Sequence, residues 1–199
     1  MSRQHVLVVL GHPDRLSYCA ALADAYVAGL DTDRYDVEVL RLGQLDFDPV
    51  LRFGYRERMP ADPVVDRSQE LLLWADHVVL VFPVWWSQMP GLLKGWVDRV
   101  LVAGFAYSMN GLRTVRLLRG RTATLVVTAQ APASIAGSTV RLVRRKVMGF
   151  CGIKTTQVLT HGWMTTSRDT PERRERFRSK VGQAAARLDA RSRPAPADR

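Results

Sequence analysis

Residues 77–90 read HVVLVFPVWWSQMP, and the fold turns on how this stretch is taken. After His77, residues 78–82 are apolar, rich in Val and too few for a stable helix. A short run of this kind, closed by a breaker, reads as a strand buried on both faces. Pro83 is expected to stop it. Pro90 stands where a helix can begin, because a missing N–H costs nothing in a first turn. That helix is expected to reach about Val102.

The same alternation repeats outward. Upstream, residues 5–10 (HVLVVL) form a Val-rich run closed by Gly11 and Pro13. Ser17 can cap a following helix whose Tyr18, Leu22, Ala25, Tyr26 and Gly29 keep helical spacing. Residues 36–40 (DVEVL) read as a second strand. Gly43, Pro49, Gly54, Pro60 and Pro63 make 43–63 a long excursion, and a helix is expected over about 64–75. Downstream, 103–121 are expected to be irregular. Residues 122–128 (TATLVVT) give a fourth strand. The loop AQAPASIAG leads to a helix at 138–150, with Val140, Val143, Val147 and Phe150 on one face. Residues 154–160 make a fifth strand. Thr170-Pro171-Glu172 opens a last helix with Phe177, Val181, Ala185 and Leu188 inward.

Crossovers this long cannot be hairpins, so the five strands should be parallel, with helices on both faces. The expectation is one α/β domain over residues 1–191, a three-layer α/β/α sandwich around a five-stranded parallel sheet. The Pro-rich end, 192–199, is expected to be disordered. In such a sheet ligands sit at the carboxyl ends of the strands. Three loops leave those ends: 11–16, 83–89 and 129–137.

Bulk properties narrow the function. At 199 residues and 47% hydrophobic, the chain supports one large core. No apolar run approaches the ~20 residues of a membrane helix, and the start lacks a secretory signal's long apolar stretch. A cytoplasmic protein without membrane insertion is expected. Cys19 and Cys151 form no CxxC pair, so neither a disulfide framework nor a metal site is expected. The net charge of +10 is uneven: residues 1–111 carry 10 Lys/Arg against 14 Asp/Glu, and 112–199 carry 19 against 5. That basic half is either a set of solvated helix faces or a surface for an anionic partner. No nucleic-acid motif accompanies it, and the aromatic residues concentrate in the acidic half, so no nucleic-acid partner is expected.

The loops carry the chemistry. Residues 11–19 (GHPDRLSYC) place a turn before a helix N-terminus, where backbone N–H groups and the helix dipole favour phosphate. His12, Arg15 and Ser17 can add donors there. GxGxxG and GxxxxGK[ST] are both absent. In the second loop, two adjacent tryptophans, Trp85 and Trp86, cannot easily share one core, because neighbouring side chains point different ways. A flat aromatic ligand would give them something to cover, with the backbone N–H groups of Trp85 and Trp86 donating to it. In the third loop, Thr128 and Gln130 offer donors among small residues that let a ligand approach.

Through GHPDRLSYC, FDPVL (47–51), the stretch from Ala75 to Tyr107 and GFCGI (149–153), the chain resembles the flavodoxin-like NAD(P)H:quinone oxidoreductases. That group includes mammalian quinone reductase and the ancillary reductase subunits of bacterial potassium-efflux systems. The resemblance spans nearly all of residues 5–190. It implies a flavin held by His12, Ser17, Tyr18 and Cys19 at its phosphates and ribityl. Pro83, Val84, Trp85 and Trp86, with Ser87 beside them, would hold its ring system. Thr128, Ala129, Gln130 and Ala131 would form the third flavin loop. FMN is the first choice and FAD close behind, with NAD(P)H as hydride donor and a small quinone-like acceptor. The reactive centre is then the flavin N5, and no catalytic side chain is assigned. The resemblance also implies a homodimer with its active site at the interface, where Tyr107 walls the substrate pocket together with Trp86. The third loop departs from the family's Thr-Thr-Gly-Gly, Ala136 stands where mammalian members have Tyr, and no His occurs between 78 and 160. These departures put the proton relay in question. The alternative is a regulatory flavoprotein subunit that binds a partner such as a transporter and turns over slowly.

Overall fold

The computed structural model describes residues 3–111 and 113–189. The tail expected over 192–199 lies outside them. Five strands form one sheet: β1 (Gln4–Leu10), β2 (Tyr35–Arg41), β3 (His77–Val84), β6 (Thr122–Ala129) and β7 (Lys154–His161). Their order is β2-β1-β3-β6-β7 and every neighbouring pair is parallel. This is the flavodoxin-like order, with its switch point between β1 and β3.

Alternation along the strands feeds two cores. Val6, Val8, Leu10, Val79 and Val81 pack with Leu22 and Tyr26 of α1 (Tyr18–Gly29) and Val181 of α6 (Pro171–Ala186). Leu7, Val9, Val78, Leu80 and Phe82 face the other way. They meet Leu72 of α2 (Pro63–Trp74) and Leu93 and Trp96 of α3 (Gly91–Val100). Deleting a side chain such as Leu93, which is fully buried, would cost about 2–5 kcal/mol. Helices α1 and α6 approach closely because Gly29 faces the Gly182 carbonyl, with no room for a Cβ. The helix starts are capped as their residue types dictate. Ser17, Asp62 and Thr170 accept from the amides of Ala20, Val64 and Arg173.

Three expectations needed correction. Pro83 does not stop β3, which runs on to Val84 while pairing Pro83 with Thr128 of β6. The Val81 carbonyl accepts from Gly11, at the point where β1 has ended. By alternation the Pro83 nitrogen faces that same vacated side, so no ladder bond is lost. Second, 103–121 are not irregular throughout. β4 (Tyr107–Asn110) and β5 (Arg113–Arg116) form an antiparallel hairpin. The strands are short and largely exposed, so they lack an apolar period; Gly111, at φ 58° just after Asn110 closes the ladder with Arg113, was the available signal. Third, the helix expected from 138 begins earlier, as α4 (Ala133–Leu142). It continues as a π-helical segment, Val143–Met148, and a short turn α5 (Gly149–Cys151). The wider π spacing of five residues buries both Val143 and Met148 and turns Phe150 outward, 37% exposed.

The long excursion after β2 begins with a 3₁₀ turn (Leu42–Gln44) and is tied to α3. The buried Arg99 guanidinium donates to the Asp48 carbonyl at 2.6 Å and reaches the Asp62 carboxylate at 3.5 Å. Gly95 leaves the space that Pro49 occupies. Among the described residues, no helix is long and apolar enough to cross a membrane.

Candidate functional site

Four loops, not three, converge at the carboxyl rim of the sheet. In the first, Asp14 organises the turn. Its N–H donates to His12 Nδ1 at 3.0 Å, and its carboxylate accepts from the Leu16 N–H at 2.9 Å. His12 Nδ1 is therefore an acceptor, which leaves the proton of the neutral ring on Nε2. Burial pulls the His12 pKa down, against a smaller upward pull from Asp14. Ser17 Oγ accepts from the Ala20 N–H at 3.2 Å. The N–H groups of Tyr18 and Cys19, in the first turn of α1, are left for an anion. Cys19 Sγ lies 3.3 Å from Thr128 Oγ1, and burial pushes its pKa up to about 11. It stays a thiol and a wall, not a nucleophile.

The second loop is a tight two-residue turn. Trp85 and Gln88 exchange both backbone hydrogen bonds, at 3.0 and 2.9 Å. Trp86 and Ser87 between them are left-handed, at φ 51° and 58°. A non-glycine residue there is strained and needs support from its surroundings. Part of that support is Thr139 Oγ1, which donates to the Ser87 carbonyl at 2.6 Å. The turn lifts Trp86 clear of the protein at 98% exposed, while Trp85 lies edge-on to His12 at 5.3 Å. The expectation that the Trp85 N–H would donate to a ligand is corrected here, because Gln88 already takes it.

The third loop is stitched to a fourth that the sequence reading missed. The carbonyls of Ala129 and Ala131 accept from the N–H groups of Met164 and Trp163, at 3.0 and 3.1 Å. Trp163 and Thr165 are left-handed, at φ 63° and 57°. Asp169 holds the loop: its carboxylate accepts from the Thr165 N–H at 2.7 Å and takes both Nε and Nη2 of Arg174, at 2.9 and 2.6 Å. Those Arg174 bonds, above all, hold the Asp169 pKa down at about 2. Tyr18 Oη donates to the Arg174 carbonyl at 2.7 Å, and the Arg174 guanidinium lies over the Tyr18 ring. One signal could have found this loop: it too leaves the carboxyl end of a parallel strand, β7.

These loops enclose a cavity of about 750 Å³. His12, Ser17, Tyr18 and Cys19 line one end, joined by Met164, Thr165 and Arg174. Pro83, Val84, Trp85 and Trp86 line it too, with Thr128, Ala129 and Gln130 on the neighbouring strand β6 and the loop after it. A second cavity, about 360 Å³, shares Val84, Trp86, Ala129 and Gln130 and adds Ser87, Ala131, Ile135 and Ala136. Two residues of the expected site stand apart from these cavities in one chain, and Tyr107 was expected at the partner subunit's pocket. Arg15 is exposed and lines neither cavity. Tyr107 lies in a separate cleft with Tyr55 and Lys146, its ring 4.8 Å from that of Phe150. Helix-start amides, a hydroxyl, an imidazole and a guanidinium at one end suit a phosphate. The tryptophans and small residues at the other suit a flat, apolar body. The donor set therefore fits a phosphorylated, planar cofactor such as a flavin. Among the described residues, no cluster of three or more His, Cys, Asp or Glu is placed to hold a metal.

The family described as "Flavodoxin-like fold" matches residues 4–185. Ribosyldihydronicotinamide dehydrogenase [quinone] of Pongo abelii is 31% identical over 156 residues, 68% of this chain and 67% of that protein. The chain thus aligns with about two thirds of that relative's length. Among solved structures, Smu.1420 from Streptococcus mutans UA159 superposes with a TM-score of 0.79 at 26% identity, covering 93% of this chain and all of that one. An NAD(P)H:quinone oxidoreductase from Methanothermobacter marburgensis gives 0.77 at 24% identity, covering 97% and 100%, and so speaks to the fold. The chain belongs to the flavodoxin-like family, within the group of the NAD(P)H:quinone oxidoreductases.

Proposed function

We propose that this chain is a flavin-dependent oxidoreductase that takes hydride from NAD(P)H and reduces a quinone or similar planar acceptor. The observation that carries this reading is Trp86, an almost fully exposed indole held in a left-handed turn beside a cavity that ends at a helix N-terminus. Among the described residues nothing covers that ring, and the backbone is strained to present it.

The bound flavin supplies the hydride chemistry, and the protein positions and tunes it. The N–H groups of Tyr18 and Cys19, with Ser17 and His12, hold the phosphate. Arg174 adds N–H donors at the same end. Its charge is already balanced by Asp169, so it contributes directed hydrogen bonds more than net attraction. Pro83, Val84 and the two tryptophans border the ring system, and the Trp86 N–H stays available to it. Ala129, Gln130 and Ala131 line the opposite side. The cofactor is FMN in this reading. The chain acts as a homodimer in which Tyr107, backed by Phe150, walls the partner's acceptor site.

The purified protein should be yellow and release FMN on denaturation; chromatography separates FMN from FAD. Under anaerobic conditions NADH or NADPH should bleach the visible band, and menadione should restore it. A preparation that takes up neither flavin would overturn the reading.

A further inference from the structure

Between Asp98 and Asp169 the chain holds no Asp or Glu and eleven Lys/Arg. Part of that charge gathers on one helical face. Ser138, Arg141 and Leu142 of α4, with Arg145 and Lys146 of the π-helical segment, line an open cleft of about 310 Å³. Among the described residues, no carboxylate pairs with Arg141, Arg145 or Lys146, and no hydrogen bond engages their side chains. Leu142, 39% exposed, gives the cleft an apolar floor, to which the stems of the long cations add. Ser138 Oγ donates to the Ile135 carbonyl at 3.3 Å, so its remaining capacity is that of an acceptor. Arg141 and Arg145 stand four residues apart and so share a face. An apolar floor, one acceptor and two unpartnered guanidinium groups suit a flat base with an amino group, carried next to a phosphate. The cleft begins where the cofactor rim ends: Ile135 and Ala136, just before it on α4, border Trp86 and Ala129. At 1.5 Å per residue, Arg141 lies about 8 Å and Arg145 about 13 Å farther along the axis than Ala136.

Building on the reductase reading above, we propose that this cleft takes the adenosine end of the hydride donor, and that Arg141 and Arg145 read a 2′-phosphate there and so select NADPH over NADH. A phosphate dianion with three acceptor oxygens matches two guanidinium forks that have no other partner. NADPH and NADH differ by that one group, so contacts made to it become selectivity. The adenine lies on Leu142, and its amino group donates to Ser138 Oγ. A nucleic-acid strand is the weaker occupant. It asks for a track of phosphate contacts with aromatic side chains to stack on, and the cleft is a single depression with no aromatic residue in its lining. Arg144 belongs to the same segment and lies outside the cleft, which makes it the control for charge alone.

The test has a kinetic arm and a binding arm, both on the flavin-loaded protein. With menadione as acceptor, the kcat/KM of wild type should be about tenfold or more higher for NADPH than for NADH. Arg141→Ala and Arg145→Ala should each lower that ratio by about fivefold or more, and Arg141→Lys by less, since an ammonium keeps the charge and loses the fork. Arg144→Ala should leave the ratio as in wild type. In calorimetric titrations with neither donor nor acceptor present, adenosine 2′,5′-bisphosphate should bind about tenfold tighter than 5′-AMP, and the difference should vanish in Arg141→Ala and Arg145→Ala. Equal use of NADPH and NADH by wild type, or an equal fall of the ratio in Arg144→Ala, overturns the cleft as the selecting site and leaves the reductase reading standing. Oxidation of neither donor overturns the reductase reading, and the titration then decides by itself whether the cleft holds the bisphosphate.

Discussion

Trp85 and Gln88 close on each other through two backbone hydrogen bonds, of 3.0 and 2.9 Å, and so force Trp86 and Ser87 into left-handed backbone. The left-handed region costs an L-residue roughly 1–2 kcal/mol. Ser87→Gly should therefore melt at or above the wild-type temperature, its gain partly offset by the looser unfolded chain. Ser87→Val, branched at Cβ, should melt lower. Equal melting of all three would mean that the turn is not held as described.

Trp86 separates stability from binding. At 98% exposed its ring contributes little to the fold, so Trp86→Ala should change stability by less than about 0.5 kcal/mol. Flavin affinity should fall about tenfold, the size expected for losing one aromatic contact. Fluorescence titration of the apoprotein with FMN measures the second quantity and denaturant melts the first. A loss of stability with unchanged affinity would place Trp86 outside the flavin site.

Arg174 should act on both. Arg174→Ala removes donors from the phosphate end and leaves the Asp169 carboxylate, 2% exposed, without its bidentate partner. Weakening of flavin binding by roughly tenfold is expected, together with a lower melting temperature. Asp169→Asn should loosen the loop at Thr165 while sparing the Arg174 donors, so its effect on affinity should be smaller. The reverse order of affinities would assign the binding role to the loop.

Acid should weaken the fold through His77. This side chain is fully buried, 2.7 Å from Thr122 Oγ1 and 3.0 Å from Thr124 Oγ1, and burial lowers its pKa to about 4. The folded state thus binds the proton more weakly than the unfolded chain. Stability is full above pH 6.5, declines as pH falls, and reaches its minimum from this group near pH 4. Between pH 7 and 5 the loss is about 2 kcal/mol. His161 is lowered to about 4 by burial and then by Arg173, and acts in the same window. Urea melts of His77→Gln should show a flatter pH dependence than wild type; an equally steep one would exonerate the histidine.

Gly95→Ala should push the excursion off α3, since an added Cβ meets the backbone and ring of Pro49. Faster proteolysis within 50–61, with the far core intact by hydrogen exchange, is the expected outcome. Unchanged cleavage would show that Arg99 alone anchors the loop.

The sheet was legible because its strands announce themselves. Runs such as HVLVVL and HVVLVF are buried on both faces, and burial on both faces writes itself into composition. Ser17 and the run Thr170-Pro171-Glu172 marked helix starts for equally local reasons. The hairpin at Tyr107–Asn110 and Arg113–Arg116 was not legible, since four largely exposed residues a side carry no apolar period. Nor was the π segment: the choice between i+4 and i+5 is made by which of Val147 and Met148 finds space in the core.

The sequence by itself determined the parallel α/β sandwich and the rim at which its ligand loops gather, because chain order and apolar runs leave few other ways to bury these strands. It also marked the tryptophan pair as the place to look. Only the tertiary structure decided that Trp85 closes a turn and Trp86 stands free, that Arg174 and Asp169 form a fourth wall, and that Arg15 and Tyr107 lie outside both cavities. Those outcomes depend on contacts between residues far apart in the chain, such as Met164 with Ala129 and Tyr18 with Arg174. No local pattern encodes which of many donors a distant carbonyl will meet; the packing of finished elements does.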